Sequence, residues 1–103
     1  MSINGPVIIE QLKGVTLYTW DHKFYQVDID LPAGEEMCVG SYESLEIAQR
    51  WFYKTVINQI YYFHHELPAK VQRLLNLANN AAAYIGEVRN CVVISLKILK
   101  GCQ

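Results

Sequence analysis

Asp28 and Asp30 stand two residues apart in the alternating run FYQVDIDL. On a strand that spacing puts both carboxylates on one face. Paired carboxylates can bind a divalent cation or do acid–base work; a solvated, charged strand face has the same sequence. Glu35 and Glu36 follow the next turn and deepen the local acidity. His64 and His65 form a second pair. Neighbours on a helix point about 100° apart, so these two do not chelate one metal as an i,i+4 pair does. Tyr61 precedes His65 by one helical turn, at the right separation for a hydrogen bond. Histidines near a helix C-terminus interact with its dipole and titrate near neutral pH.

Three cysteines, Cys38, Cys91 and Cys102, show neither CxxC nor Cys/His zinc spacing. Reduced thiols are the simplest reading, with Cys38 and Cys91 in the core and Cys102 exposed and open to oxidation. No serine, histidine and acid arrangement follows from spacing. The six glycines are scattered and form no phosphate loop. The residues therefore predict no metal, no cofactor and no catalytic group, and they favour binding over catalysis.

Aromatic residues carry the remaining signal. Tyr18, Trp20 and Phe24 flank the loop Asp21-His22-Lys23. On an outer sheet face they could stack bases or a flat ligand, with Lys23 as the nearby cation; equally, they could pack under another element. Trp51, Tyr53, Ile57, Tyr61 and Tyr62 form a second set, inside the stretch SLEIAQRWFYKTVINQIYYFHHEL. Such side chains mark an interface when the chain leaves them exposed. With His65 they are the candidate interface or ligand-binding residues.

These groups need elements to position them. Residues 7–13, 15–20, 24–31 and 36–42 read as strands, separated by Gly14, by Asp21-His22-Lys23 and by the turn Pro32-Ala33-Gly34. A three-residue loop places Trp20 opposite Phe24. Val15, Leu17 and Thr19 then share a face with Tyr25, Val27, Ile29 and Leu31, and the other face is aromatic near the loop and acidic at its far end. A one-residue slip would mix the two sets. Ser41 or Ser44 can cap the long helix that follows. Its core stripe is Leu45, Ala48, Phe52, Val56, Ile60, Phe63 and Leu67; Glu46, Arg50 and Lys54 make its polar face. Pro68 opens a second helix with the stripe Val71, Leu74, Leu75, Ala78, Ala82 and Ile85, and Gly86 is its expected stop. The tail CVVISLKIL alternates and is rich in β-branched residues, which predicts a final strand. A helical stripe through Val88, Val92, Leu96 and Leu99 is the alternative.

The expected fold is α+β: an antiparallel sheet of three or four strands packed on one long aromatic-rich helix, then a second helix and a C-terminal strand. The span GVTLYTWDHKFYQVDIDLPAGEEMCVGSYESLEIAQRWF gives strand, strand, turn, strand, then a helix opened by Gly40-x-Tyr42-x-Ser44-x-x-x-Ala48. At the level of layout, over about 40 residues, this resembles the three-stranded sheet plus helix of plant AP2-type and phage-integrase arm-type DNA-binding domains. The resemblance implies an outer sheet face laid in the major groove. That face carries Asp28 and Asp30 where such a role calls for arginine.

At 103 residues the chain is expected to form one domain. Half its residues are hydrophobic and its net charge is −1, so no global charge bias draws it to nucleic acid or an anionic membrane. The charge is segregated. Up to Glu66 there are nine acids and four bases, net −5; from Leu67 there are one acid and five bases, net +4. Opposite halves can attract within one fold or between two copies. The N-terminal segment has no signal-peptide pattern, and no uncharged stretch is long enough to span a bilayer. A cytoplasmic, self-associating protein, a dimer above all, is the leading expectation, with a protein partner also open. A nucleic-acid-binding sheet face and an aromatic small-ligand pocket between sheet and helices are the alternatives.

Overall fold

A computed structural model of the chain describes residues 5–101. Four strands, β1 (Val7–Leu12), β2 (Val15–Thr19), β3 (Tyr25–Asp30) and β4 (Glu36–Tyr42), form one antiparallel sheet in that order. Three helices follow: α1 (Leu45–Phe63), α2 (Ala69–Ala78) and α3 (Ile85–Gly101). The fold is α+β. The chain divides into two compact units, one ending at Val56 and one starting at Ile57.

In the first unit each turn has a local cause. Lys13 and Gly14, at φ 51° and 75°, form the two-residue connection between β1 and β2. Positive φ at both central residues gives the primed turn whose twist suits a hairpin. Between β2 and β3, the buried Thr19 hydroxyl accepts from the His22 N–H and donates to the Phe24 carbonyl. Asp21 Oδ1 accepts from the Lys23 and Phe24 amides, and those two bonds hold its carboxyl below the usual range. The third turn places Gly34 at φ 88° and closes with bonds from Gly34 to Leu31 and from Leu31 to Glu35.

The β2–β3 register pairs Thr19 with Tyr25, Leu17 with Val27 and Val15 with Ile29. The sequence pattern required this register. Val15, Leu17, Thr19 and Val27 are fully buried, as are Ala48, Phe52, Tyr53 and Val56 of α1. Ser44 is the helix cap: its Oγ accepts from the Ile47 N–H, whereas Ser41 is committed to β4 opposite Gln26. A bulge in β1 lets Glu10 lie opposite Leu17, on the inner face. There the hydroxyl of Tyr53 donates to the Glu10 carboxylate. This bond joins the first strand to the helix across 43 residues of sequence.

Several expectations need correction. The helix stripe is rotated: Tyr53 and Ile57 are buried, while Leu45 and Phe63 are exposed. The helix ends at Phe63, so Leu67 lies outside it. In the second unit α2 stops at Ala78 and not near Gly86, because Asn80 folds back. Its Oδ1 accepts from the Ala82 N–H and its carbonyl accepts from the Ala83 N–H, a local alternative to continuing the helix. Gly86 sits in the first turn of α3. The predicted C-terminal strand is a helix. Val88, Cys91, Val92 and Ser95 are its buried residues, an i,i+3,i+4,i+7 set, whereas Ile94, inward on the strand reading, is exposed. The helical period outweighed β-branched propensity, and α3 packs against α2. Cys91 is buried as expected; Cys38 is an exposed position on β4; Cys102 lies outside the described residues. Among the described residues no helix is long and apolar enough to cross a membrane.

Two substitutions test this packing. Tyr53→Phe removes a hydroxyl donor from the inward carboxylate of Glu10 and is expected to destabilise the fold by about 1–3 kcal/mol, read from the urea midpoint. Ser95 is fully buried and its Oγ has no partner among the described residues. Ser95→Ala removes an unmatched hydroxyl at constant backbone and should leave stability unchanged or raise it by up to about 1 kcal/mol in the same measurement.

Candidate ligand-binding site on the outer sheet face

The site is built from strand alternation and two bulges. On β2, Thr16 and Tyr18 face away from the core; on β3 their partners Asp28 and Gln26 do the same. In β1 the register changes between Ile8 and Glu10, so Ile8 stays opposite Tyr18 and Gln11 opposite Thr16. In β4 the register changes at Val39, which sets Cys38 opposite Asp28 and Glu36 opposite Asp30. Without that extra residue Cys38 would face the opposite way. The strand positions on this face therefore hold Asp28, Asp30 and Glu36 and no lysine or arginine.

A cavity of about 240 Å³ opens on this face. Trp20, Tyr18 and Ile8 supply apolar and aromatic surface; Gln11, Thr16, Asp28 and Glu36 supply polar groups. The polar groups are fixed in place. Gln11 Nε2 donates to Thr16 Oγ1 at 2.9 Å, and the Tyr18 hydroxyl donates to Asp28 Oδ2 at 3.0 Å. The other oxygen, Asp28 Oδ1, is buried and has no hydrogen-bond partner among the described residues. Burial, the bond to Asp28 and that carboxylate's charge push the Tyr18 phenol from 10.0 up to about 12. Partial burial and the charge of Asp28 also push the Cys38 thiol up, which makes it a poor nucleophile at neutral pH.

The other candidates are distributed as follows. Trp20 is 60% exposed at the cavity rim, and Phe24 and Lys23 are exposed in the loop. Tyr18 is half-buried and committed to Asp28. Of the α1 set, Tyr53 and Ile57 are core residues and are withdrawn as contact candidates, because their side chains are already covered by this chain. Trp51, at 44% exposure, stacks in parallel on Tyr42 with centroids 6.2 Å apart, and the Lys54 ammonium lies 5.3 Å from its ring centre. Gly40 makes room for this stack, since a methyl group there would run into the Tyr42 ring.

In the second unit Tyr61 and Tyr62 are exposed, and Tyr62 meets Phe63 edge to face at 5.0 Å. Tyr61, His64, His65, Gln72 and Asn76 line a shallow groove of about 390 Å³. The helix has ended before His64 and His65, so the helical relation of Tyr61 to His65 does not apply. Among the described residues no cluster of histidine, cysteine and carboxylate side chains is arranged to hold a metal ion. Sequence reasoning placed Thr16, Tyr18, Trp20 and Asp28 on this face and noted the acidity of Glu36, but missed Ile8 and Gln11. Those two share the face only through the β1 bulge, which leaves no residue signature.

The Tyr18–Asp28 pair makes a pH prediction. A phenol whose proton is held more tightly in the fold contributes stability below its unfolded value of 10.0, and that contribution is lost as pH rises through about 12. Alkaline titration followed by phenolate absorbance should show late-ionising tyrosine, with Tyr18 part of it. Asp28→Asn should bring that tyrosine down toward its ordinary value, because the acceptor's charge is gone while part of the burial remains. An unchanged late transition in this variant would show that Asp28 is not the cause.

The sequence matches no described protein family and no curated protein, and no solved structure matches the chain.

Proposed function

We propose that the protein is a non-catalytic interaction module that self-associates, as a dimer, through the outward side of α1. One observation carries this reading: Trp51 is substantially exposed yet held in one orientation by Tyr42 on one side and Lys54 on another. Exposed tryptophan is costly to leave wet, and a ring already immobilised loses little entropy on docking. Tryptophan and tyrosine are also the residue types that dominate interface energetics.

Ile47, one turn before Trp51, is half-exposed, as is Leu45 at the start of the helix. Further along, Tyr61 and Tyr62 are exposed, Tyr62 to 76%. Burying one such side chain contributes on the order of 1.5–3 kcal/mol, so a few of them contributed twice across a two-fold axis suffice for a stable pair. The charge segregation along the sequence suits association between copies, because an acidic segment of one chain can meet a basic segment of another.

A nucleic-acid role for the sheet gains no support from its outward strand positions. A phosphate backbone laid there would meet Asp28, Asp30 and Glu36 with no strand arginine or lysine to offset them.

Light scattering behind size exclusion, at two protein concentrations, tests the reading. The expected mass approaches two chains at the higher concentration. Trp51→Glu combined with Tyr62→Glu should give the mass of one chain. Wild-type protein at the mass of one chain at both concentrations would overturn self-association. A doubly substituted protein that stays dimeric would place the contact elsewhere.

A further inference from the structure

The outer sheet cavity is chemically incomplete in a specific way. Its wall contains a carboxylate oxygen, Asp28 Oδ1, that is buried and has no hydrogen-bond partner among the described residues. The companion oxygen accepts from the Tyr18 hydroxyl. Glu36 adds a second carboxylate to the lining. Trp20 and Tyr18 add two aromatic rings, and Ile8 an apolar side. A carboxylate with an unused acceptor, beside aromatic faces that carry negative charge density, selects a cation with N–H donors and some apolar body. An anion is repelled by both carboxylates, and a neutral apolar ligand leaves Oδ1 unmatched.

We propose that this cavity is a binding site for a small organic cation, an alkylguanidinium or alkylammonium group. The group would donate to Asp28 Oδ1, with its alkyl stem against Ile8 and Trp20. The volume of about 240 Å³ fits a head group with a short chain and excludes a drug-sized ligand. The cation's chemistry is the same whether it is a free metabolite-sized amine or the side chain of arginine or lysine in another polypeptide. The proposal stands independently of self-association through α1.

The test uses the full chain and n-butylguanidinium, with butyrate as the anionic control of similar size, followed by amide chemical shifts and by calorimetry. The expected result is saturable millimolar binding of the cation, with shift changes centred on Ile8, Thr16, Tyr18 and Asp28, and none with butyrate. Asp28→Asn should weaken binding about tenfold or more, because it replaces a charged acceptor by a neutral one. Glu36→Gln, at an exposed position that the fold does not depend on, should weaken it by about threefold. It keeps the test decisive should the Asp28 variant not fold. A capped Gly-Arg-Gly peptide separates the two sources: tighter binding than butylguanidinium assigns the site to a polypeptide side chain, and equal or weaker binding assigns it to a free cation. No saturable binding by wild type, equal binding of butyrate, or Glu36→Gln and Asp28→Asn both binding as wild type would overturn the proposal.

Discussion

A strand sends alternate side chains to opposite faces, and each edge strand of this sheet breaks that alternation once. The rest of the first unit depends on those two breaks. In β1 the extra residue turns Glu10 inward, opposite Leu17, while Ile8 stays outward, opposite Tyr18. An inward glutamate beneath a sheet would be strongly destabilising if unmatched. Tyr53 resolves this by donating its hydroxyl to the carboxylate, and a tyrosine on that helix position is thereby drawn into the core. In β4 the extra residue turns Cys38 and Glu36 toward the face that holds Asp28 and Asp30. One irregularity thus fastens the first strand to the helix, and the other gives the outer face its acidity.

The acidity has consequences that local pairing does not cancel. Asp30 and Glu36 stand directly opposite each other, an arrangement that destabilises a sheet by a fraction of a kcal/mol to about 1 kcal/mol. Asp28 accepts from the Tyr18 phenol, and its other oxygen has no hydrogen-bond partner among the described residues. Tyr18 in turn holds its proton up to about 12, so it stays a donor across the whole physiological range. The pair is a fixed acceptor, and Cys38 beside it is kept as a thiol.

How much of this could be read from residues alone follows from the range of the forces involved. Hairpin register was legible, because Val15, Leu17 and Val27 on one face and Thr16, Tyr18 and Asp28 on the other leave only one pairing that keeps the core apolar. The Pro32-Ala33-Gly34 turn and the Ser44 cap were legible because each rests on neighbours in sequence. The tail was ambiguous because Val92 and Leu96 satisfy both periods; packing of α3 on α2 decided it. Tyr53 was read as a contact residue because nothing near it in sequence announces a buried acceptor 43 residues away. The site was half legible: Tyr18, Trp20 and Asp28 follow from alternation. Ile8 and Gln11 share the face only through the β1 bulge, whose energetic cause lies in the whole sheet.

The two exposed aromatic surfaces of the first unit differ in the company that they keep, and this separates their roles. Trp20 borders carboxylates and a half-buried phenol, with polar groups converging beneath it, so a partner there must bring positive charge. Trp51 lies between the ring of Tyr42 and the ammonium of Lys54, and Ile47 precedes it by one turn. The lysine ammonium already meets the ring electrostatically, and the residue remains 44% exposed. A partner there gains mainly from burial, which is largely indifferent to charge and favours a large, complementary surface such as a second copy of the same helix. Glycine at position 40 serves the second surface, since only a residue without a side chain lets Tyr42 fold back to brace Trp51. The same strand, one bulge away, presents Cys38 and Glu36 to the first.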